Sequence, residues 1–390
     1  MRFMYLWQAP RWPAMRWDAL ATTSAIAGAR IAEGRMLGLA STLGVADMAS
    51  LQLAGWTQEA LATAAIEGEN LQLHSVRASA ARRLGLADHA VSASDPRAEA
   101  TLEVLEAAIT QWQRPITQDD LFAWHAALFP TGRSGATRIV VGGWRTHAEP
   151  MQIVTPHWRK PDVVHYEAPP SAHVPQHMTA LLEWFNVHSR RPEIDGLVRA
   201  AIAHLWFEAI HPFEDGNGRI GRALAELALA QDMRSDRRLF SLSAQLAQDR
   251  AGYYAQLQAV TGQGGLDVTS WVQWFLGRIE SAFDASLQSM QKALSQSVYW
   301  NDVNARHATL TASQRKALGR LLEAEPAGFA GGMSTEKYVN LTGASRATAY
   351  RELTHLSELG LLIRSGQGRG TRYRLARAPS DVDSARARSS

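Results

Sequence analysis

Residues 211–222 read HPFEDGNGRIGR, and the fold of the chain is decided around them. Ahead of this string Leu197, Val198, Ala201, Ile202, Leu205, Trp206 and Ala209 recur at helical spacing through a mostly apolar run of 14 residues ending at Ile210, too long for an ordinary strand. Pro212 stops that helix, because proline cannot extend it and pushes its predecessor out of the α region. Gly216 and Gly218 permit positive φ, so the backbone can turn its N–H groups inward as an anion nest. Leu224, Leu227 and Ala228 continue a second apolar helix, which places the nest at a helix N-terminus where dipole and free N–H groups favour phosphate. Arg219 and Arg222, three apart, project from one side of that helix with guanidinium forks that suit phosphate oxygens. Asp215 is a hard oxygen ligand placed for a Mg²⁺ that bridges phosphates. His211 is the group in the string that takes a proton near neutral pH. The parts suit a nucleoside triphosphate held beside a general base.

Other readings of the same residues are weaker. Gly216, Gly218 and Gly221 spell GxGxxG, and Asp236 stands twenty residues past Gly216, but a dinucleotide fingerprint needs a strand before the glycines and here a helix precedes them. Glu208 and His211 form an ExxH pair, which alone does not build a carboxylate-bridged di-iron site. A plain capped helical corner with solvated charges leaves the full set of positions unexplained. The string resembles the signature of the Fic family, whose members usually transfer AMP from ATP to a protein hydroxyl. That resemblance implies a mainly α fold: a helical core with a small β-hairpin flap, an N-terminal helical domain and a C-terminal winged helix. It also implies ATP as co-substrate with Mg²⁺ on Asp215, and phosphates cradled by Gly216, Gly218, Arg219 and Arg222. Asn217 would orient the α-phosphate region, and His211 would deprotonate a Ser, Thr or Tyr hydroxyl of a target. The donor base stays open, since UMP, phosphocholine or phosphate transfer also occurs in such enzymes. Relatives often form homodimers.

The 390 residues suit two to three domains, with 46% hydrophobic residues for real cores and 20% charged. There is no cysteine, so disulfides and thiolate metal sites are excluded. The opening MRFMYLWQAPRWPAM has no continuous apolar core for a signal peptide, and no run approaches a membrane span. These features fit a cytoplasmic protein without membrane contact. Residues 305–390 hold 14 Lys and Arg against 7 Asp and Glu, a net +7, while the preceding 304 residues hold 26 against 30, a net −4. An acidic body joined to a basic module points to an anionic partner for the module.

Composition divides the chain into an Ala-rich helical segment to about residue 98, a core at 99–282, a connecting helix at 283–307, a basic domain at 308–377 and a disordered tail at 378–390. The first segment ends in the turn-like Val91–Pro96. Within the core, Thr137–Val141 and Met151–Thr155 flank a turn-prone stretch and read as a hairpin. By the resemblance this is the flap, with Val140, Val141, Gly142 and Gly143 docking an extended target segment by strand addition. Tyr253 and Tyr254 lie where such proteins carry aromatics near adenine, with Tyr254 the contact residue; aromatic pairs at that spacing also serve as core. Phe213 reads as a core anchor and Glu214 as solvent-facing.

Residues 63–68 read TAAIEG, similar to the (S/T)xxxE(G/N) inhibitory helix of many Fic proteins. Thr63 and Glu67 share a helix face, and Gly68 lets the glutamate approach another backbone. The resemblance implies that Glu67 pairs with Arg222 and displaces the γ-phosphate, a competition of two anions for one guanidinium. In some relatives the same glutamate supports removal of AMP. In the basic domain, Ser313–Leu322, Thr335–Leu341 and Ser345–Leu359 read as helices, and Leu361–Arg364 with Thr371–Leu375 as a hairpin around Gly366, Gly368 and Gly370. Three helices and a Gly-rich hairpin resemble a winged helix. Arg346 and Arg351 on the third helix, with Arg364, Arg369, Arg372 and Arg374 on the wing, form a basic face suited to DNA phosphates. Protein binding by such a module stays open, because a basic patch carries no base readout.

Overall fold

The computed structural model describes residues 5–86, 95–155, 163–189, 191, 193–325 and 328–376, without the side chains of 154, 155, 163 and 369. Val91–Ser94, the tail after residue 376 and the side chain of Arg369 thus lie outside the described residues. The chain forms two compact units, Met1–Gln288 and Ser289–Ser390. Both are mainly helical, with three small two-stranded antiparallel sheets among the described residues.

The first unit opens with α1 (Ala19–Ala40), α2 (Val45–Ile66), α3 (Leu73–Arg83), α4 (Pro96–Thr110) and α5 (Gln118–Leu128). Two short hairpins follow, β1 (Arg133–Ser134) with β2 (Thr137–Arg138), and β3 (Gln152–Thr155) with β4 (Val163–Glu167). Then come α6 (Val174–His188), α7 (Gly196–Ile210), α8 (Asn217–Met233), α9 (Leu242–Gln248) and α10 (Arg250–Thr261), and α11 (Thr269–Arg306) begins in this unit and runs into the second. The 38 residues of α11 are continuous, so the stretch at 283–306 is the later part of a longer helix.

α7 is the centre of the first unit. All residues from Leu197 to Ile210 are buried, as expected for a helix apolar on every side. Asp195 caps its start by accepting from the Leu197 N–H. The central part of α2 is fastened from a distance. Glu59, 3% exposed, accepts from Ser241 Oγ at 2.6 Å and from the Ser243 N–H at 3.1 Å, where α9 begins. Arg238 lies against Glu59 and forms a buried ion pair with Glu226 of α8.

The expected hairpin is replaced by two others. Thr137–Arg138 folds back on Arg133–Ser134, and Met151–Thr155 finds its partner downstream in Val163–Glu167. Ile139–Gly143 takes no ladder position: the Ile139 N–H gives to the Gly132 carbonyl at 3.2 Å, and side chains claim two further donors, the Val140 N–H giving to Glu214 Oε2 at 3.1 Å and the Gly142 N–H to His125 Nδ1 at 3.3 Å. Val163–Glu167, rich in β-branched and aromatic residues, supplies a better pleated partner. The same contact corrects the reading of Glu214, which binds the backbone instead of facing only water.

In the second unit α12 (Ala312–Glu323), α13 (Thr335–Thr342) and α14 (Arg346–Glu358) precede the hairpin β5 (Leu362–Ser365) and β6 (Arg372–Leu375). Leu318, Leu321, Tyr338, Leu353, Leu356 and Tyr373 make its core. Met333 adds a bridge to Tyr373 beside the hairpin. Glu352 of α14 ties the helices together, accepting from Tyr338 Oη at 2.8 Å and Thr311 Oγ1 at 2.7 Å.

Candidate active site

The corner between α7 and α8 brings the motif residues together. His211 closes α7 in the left-handed conformation, φ 51° and ψ 61°, which is uncommon for a residue with a Cβ. A buried guanidinium holds it there. Arg145, 2% exposed, gives Nε–H to the His211 carbonyl at 2.8 Å and Nη1–H to Ser171 Oγ at 2.8 Å, while its own N–H bonds the Pro212 carbonyl at 2.9 Å. Burial pulls the Arg145 guanidinium down to about 10, still charged at neutral pH. Burial and this cation push His211 down to about 4, so the ring is neutral at physiological pH with its lone pair free, and a weaker base than the near-neutral group its sequence suggested. Its side chain is 14% exposed and Nδ1 is buried without a hydrogen-bond partner.

The turn after His211 is fastened at each residue. Phe213 is fully buried and stacks on His125 with ring centroids 4.2 Å apart. Asn217, expected to orient the α-phosphate, spends its side chain otherwise: Oδ1 accepts from the Phe213 N–H at 2.9 Å and Nδ2 gives to the Phe213 carbonyl at 2.8 Å. It staples the turn closed. Gly216 has φ +79°, and a Cβ there would press on the Phe129 ring at 2.8 Å. Gly218, expected to share that freedom, lies in the first turn of α8 with no positive φ. It matters through space: a Cβ there would collide with the Glu67 carboxylate. Asp215, 41% exposed at its side chain, accepts from Ser134 Oγ and from the Gly216 N–H, while its carbonyl receives the Nε2–H of His125 at 3.2 Å. Burial pushes His125 down to about 4.

Both arginines already face anions. Arg222, 2% exposed, gives Nε–H to Thr63 Oγ1 at 2.8 Å, and Nη2–H to Glu67 Oε1 at 2.7 Å and to the Thr63 carbonyl at 3.2 Å; its Nη1 is buried without a partner. Arg219 gives Nη1–H to Glu69 Oε1 at 2.8 Å and lies over the Phe129 ring. Gly68 does not supply the close approach expected of it, since nothing lies within 4 Å of a Cβ there; its φ of +79° instead turns the chain out of α2 after Glu67. A cleft of about 620 Å³ opens beside these groups, with Glu67, His211, Arg222, Tyr253 and Tyr254 among its lining residues. Tyr254 is 42% exposed and gives Oη–H to the Ile66 carbonyl at 3.4 Å. Tyr253 is 1% exposed, with Oη 2.8 Å from His204 Nε2, and so packs as core at the cleft wall.

Among the described residues no group of three or more His, Cys, Asp or Glu is arranged to hold a metal, and no helix is long and apolar enough to cross a membrane. Sequence reasoning missed Arg145, His125, Glu69 and Ser134. His125 and Arg145 lie 90 and 66 residues from their partners Asp215 and His211, and no local spacing announces such contacts.

Residues 115–229 match the Fic/DOC family, and residues 5–86 match a domain of unknown function, DUF4172. The chain carries a Fic/DOC family domain. It is 31% identical over 144 residues to the protein adenylyltransferase fic-1 of Caenorhabditis briggsae, a match spanning 37% of this chain and 25% of that protein. It is 37% identical over 79 residues to the probable protein adenylyltransferase aq_aa38 of Aquifex aeolicus (strain VF5), spanning 19% of this chain and 24% of that protein. The match thus spans about a quarter of each relative. In fold it is similar to a Fic family protein from Desulfovibrio desulfuricans G20, with a TM-score of 0.53 and 23% identity over 92% of this chain and 97% of the other. Fic-1 (aa134–508) from C. elegans gives a TM-score of 0.50 and 22% identity over 71% and 75%.

Proposed function

We propose that this chain is a protein adenylyltransferase, autoinhibited by Glu67, that transfers AMP from ATP to a Ser, Thr or Tyr hydroxyl of a protein. The observation that carries the reading is the buried Arg222, bonded to Glu67 at 2.7 Å in the cleft that also holds His211. A carboxylate seated on a guanidinium fork that also suits phosphate is what competition for one cation looks like.

ATP would place its phosphates against the first-turn N–H groups of α8, with Arg219 and Arg222 on the β- and γ-phosphates once Glu69 and Glu67 yield them. Asp215 fits a Mg²⁺ of the kind held by one carboxylate plus phosphates, being 41% exposed and next to the Gly216 N–H. Such an ion would neutralise phosphate charge. His211, neutral and facing the cleft, removes the target hydroxyl proton; the oxygen attacks the α-phosphorus, the bond to the β-phosphate oxygen breaks and pyrophosphate leaves. Asn217 and Arg145 act by holding the turn and ring in place. The β3–β4 hairpin, with Ile153 and Val164 each 41% exposed, takes the flap role first expected of Val140–Gly143. Tyr254 would lie along the base.

Incubating the Glu67→Gly protein with α-labelled and γ-labelled ATP tests the reading. Label on protein from the α position alone supports AMP transfer. Label from the γ position means phosphate transfer, and no label from either overturns the proposal. The mass added distinguishes UMP or phosphocholine donors, and loss of label on adding back wild-type protein reveals AMP removal.

A second role belongs to the other unit. There α13 turns at Gly343 (φ +73°) into α14, whose exposed Arg346, Tyr350 and Arg351 adjoin no carboxylate partner among the described residues. A helix–turn–helix followed by a wing bearing Arg364 and Arg374 suits double-stranded DNA. The alternative of a nucleotide-sensing transcription regulator shares this module but leaves the base His211 without a task.

A further inference from the structure

Glu208 has no place in the mechanism so far, yet it is built into the cleft. It sits one helical turn before His211 on α7, is 8% exposed and lines the cavity. Its Oε2 is 3.9 Å from His211 Nδ1, and its Oε1 is buried without a hydrogen-bond partner. Nδ1 is itself buried and has no side-chain partner, so the Oε2 of a carboxyl that is unmet at its other oxygen stands one turn of helix away from it. Gly221 of α8 fixes the carboxyl, since Oε1 stands 2.8 Å from where a Cβ would be. Any side chain at 221 would evict it.

We infer that Glu208 is the positioning partner of the base: its carboxyl receives the Nδ1–H of His211, leaving the Nε2 lone pair toward the target hydroxyl. This rests on the proposed AMP transfer. Closing the gap takes a movement of about 1 Å, in keeping with catalytic hydrogen bonds that tighten only when substrate is bound. A neutral imidazole holds one proton; fixing it on Nδ1 decides which nitrogen serves as base. When Nε2 takes up the hydroxyl proton, the imidazolium forms beside Glu208, which favours that charge.

The surrounding charges tune the pair from every side. Arg145 sits on the His211 carbonyl, Asp215 lies in the turn, Arg222 and Glu67 face the carboxyl, and the hydroxyls of Tyr166 (β4) and Tyr253 (α10) complete the ring of neighbours. Burial pushes Glu208 up to about 8, against the pull of Arg222 and with a further push from Glu67. Without nucleotide, loss of Glu67 therefore moves Glu208 toward its charged form, the better partner for an imidazolium. The Glu208 carbonyl also faces the ring, and a role confined to that carbonyl survives any change of side chain.

The test compares Glu208→Gln, Glu208→Ala and Glu208→Asp in the Glu67→Gly protein. We expect kcat for AMP transfer to fall at least about tenfold in the Gln and Ala variants, with KM for ATP within about twofold. The pH profile of kcat should lose an inflection between about pH 6 and 9, with Asp restoring part of it. Histidine ¹⁵N spectra of the full chain should show the His211 ring shifting away from the Nδ1–H form in Glu208→Gln. Unchanged kcat and pH profile, or a ¹⁵N signature indifferent to Gln and Ala, overturns the inference. Absence of transfer in Glu67→Gly itself would instead defeat the proposed activity, while the ¹⁵N comparison still decides for or against Glu208.

Discussion

Replacing Glu67 by glycine should weaken the resting protein and strengthen its hold on ATP by a related amount. Glu67 gives Arg222 its one carboxylate ion pair among the described residues, at 2.7 Å, and Arg222 is 2% exposed with Nη1 already unpartnered. A hydrogen bond to a charged group contributes about 1.5–3 kcal/mol, and the 28% exposure of the Glu67 side chain places this one toward the lower part, about 2 kcal/mol. Loss of the carboxylate should therefore lower the unfolding midpoint by a few degrees. The same 2 kcal/mol no longer opposes the γ-phosphate, which corresponds to ATP binding about 30-fold tighter. Thermal melts of wild-type and Glu67→Gly protein across ATP–Mg²⁺ concentrations measure both effects. The variant should melt lower without nucleotide and gain more on adding it. A variant that melts no lower and responds to ATP like wild type would refute the competition of two anions for Arg222.

Glu59→Ala removes the acceptor of Ser241 and Ser243 and a neighbour of Arg238, all buried, and should cost about 3 kcal/mol in denaturant unfolding while raising AMP transfer, because α2 loses its fastening. Stability should also fall steeply in mild acid. His125 and His211 titrate near 4 and His204 near 3 in the fold, so each contributes stability that is whole above the unfolded value of about 6.5 and is lost as pH drops below it. Glu208, raised to about 8, acts in the opposite sense, leaving a net difference of about two protons, or roughly 3 kcal/mol per pH unit between about pH 6 and 5. Melts across that range check the slope, and a flat profile contradicts it. For the second unit, Arg346→Ala with Arg351→Ala should weaken duplex DNA binding alike across sequences and reduce the salt slope by about 2, measured by titration at several salt concentrations.

The corner between α7 and α8 was legible because its signals are local. An all-apolar run stopped by Pro212, a glycine with forced φ at 216 and arginines three apart all act within two helical turns, and α7, the turn and α8 formed where those signals place them. The second unit was legible for the same reason: Thr311, Ser334 and Ser345 cap its helices, and Gly-rich residues separate its strands. The hairpin was misread because Ile139–Val141 looks as strand-like as Val163–His165, and the choice fell to Glu214 and His125 taking the donors of Val140 and Gly142. Arg145, which locks the backbone of His211, is an ordinary arginine in sequence, and Glu69 reaches Arg219 across 150 residues. Contacts of that span are set by packing, which no local period encodes.

The attachment of Glu59 to the start of α9 limits how the cleft can be unlocked. With the middle of α2 anchored at Ser241 and Ser243, the helix is not free to swing away as a rod. While that anchor holds, freeing Arg222 would fall to the final turn, Thr63 to Gly68, with the left-handed glycine as the pivot. Thr63, Ala64 and Ile66 of that turn are buried, so letting go would give up packing as well as the contact to Arg222, and a nucleotide arriving in the cleft would have to displace an ordered segment.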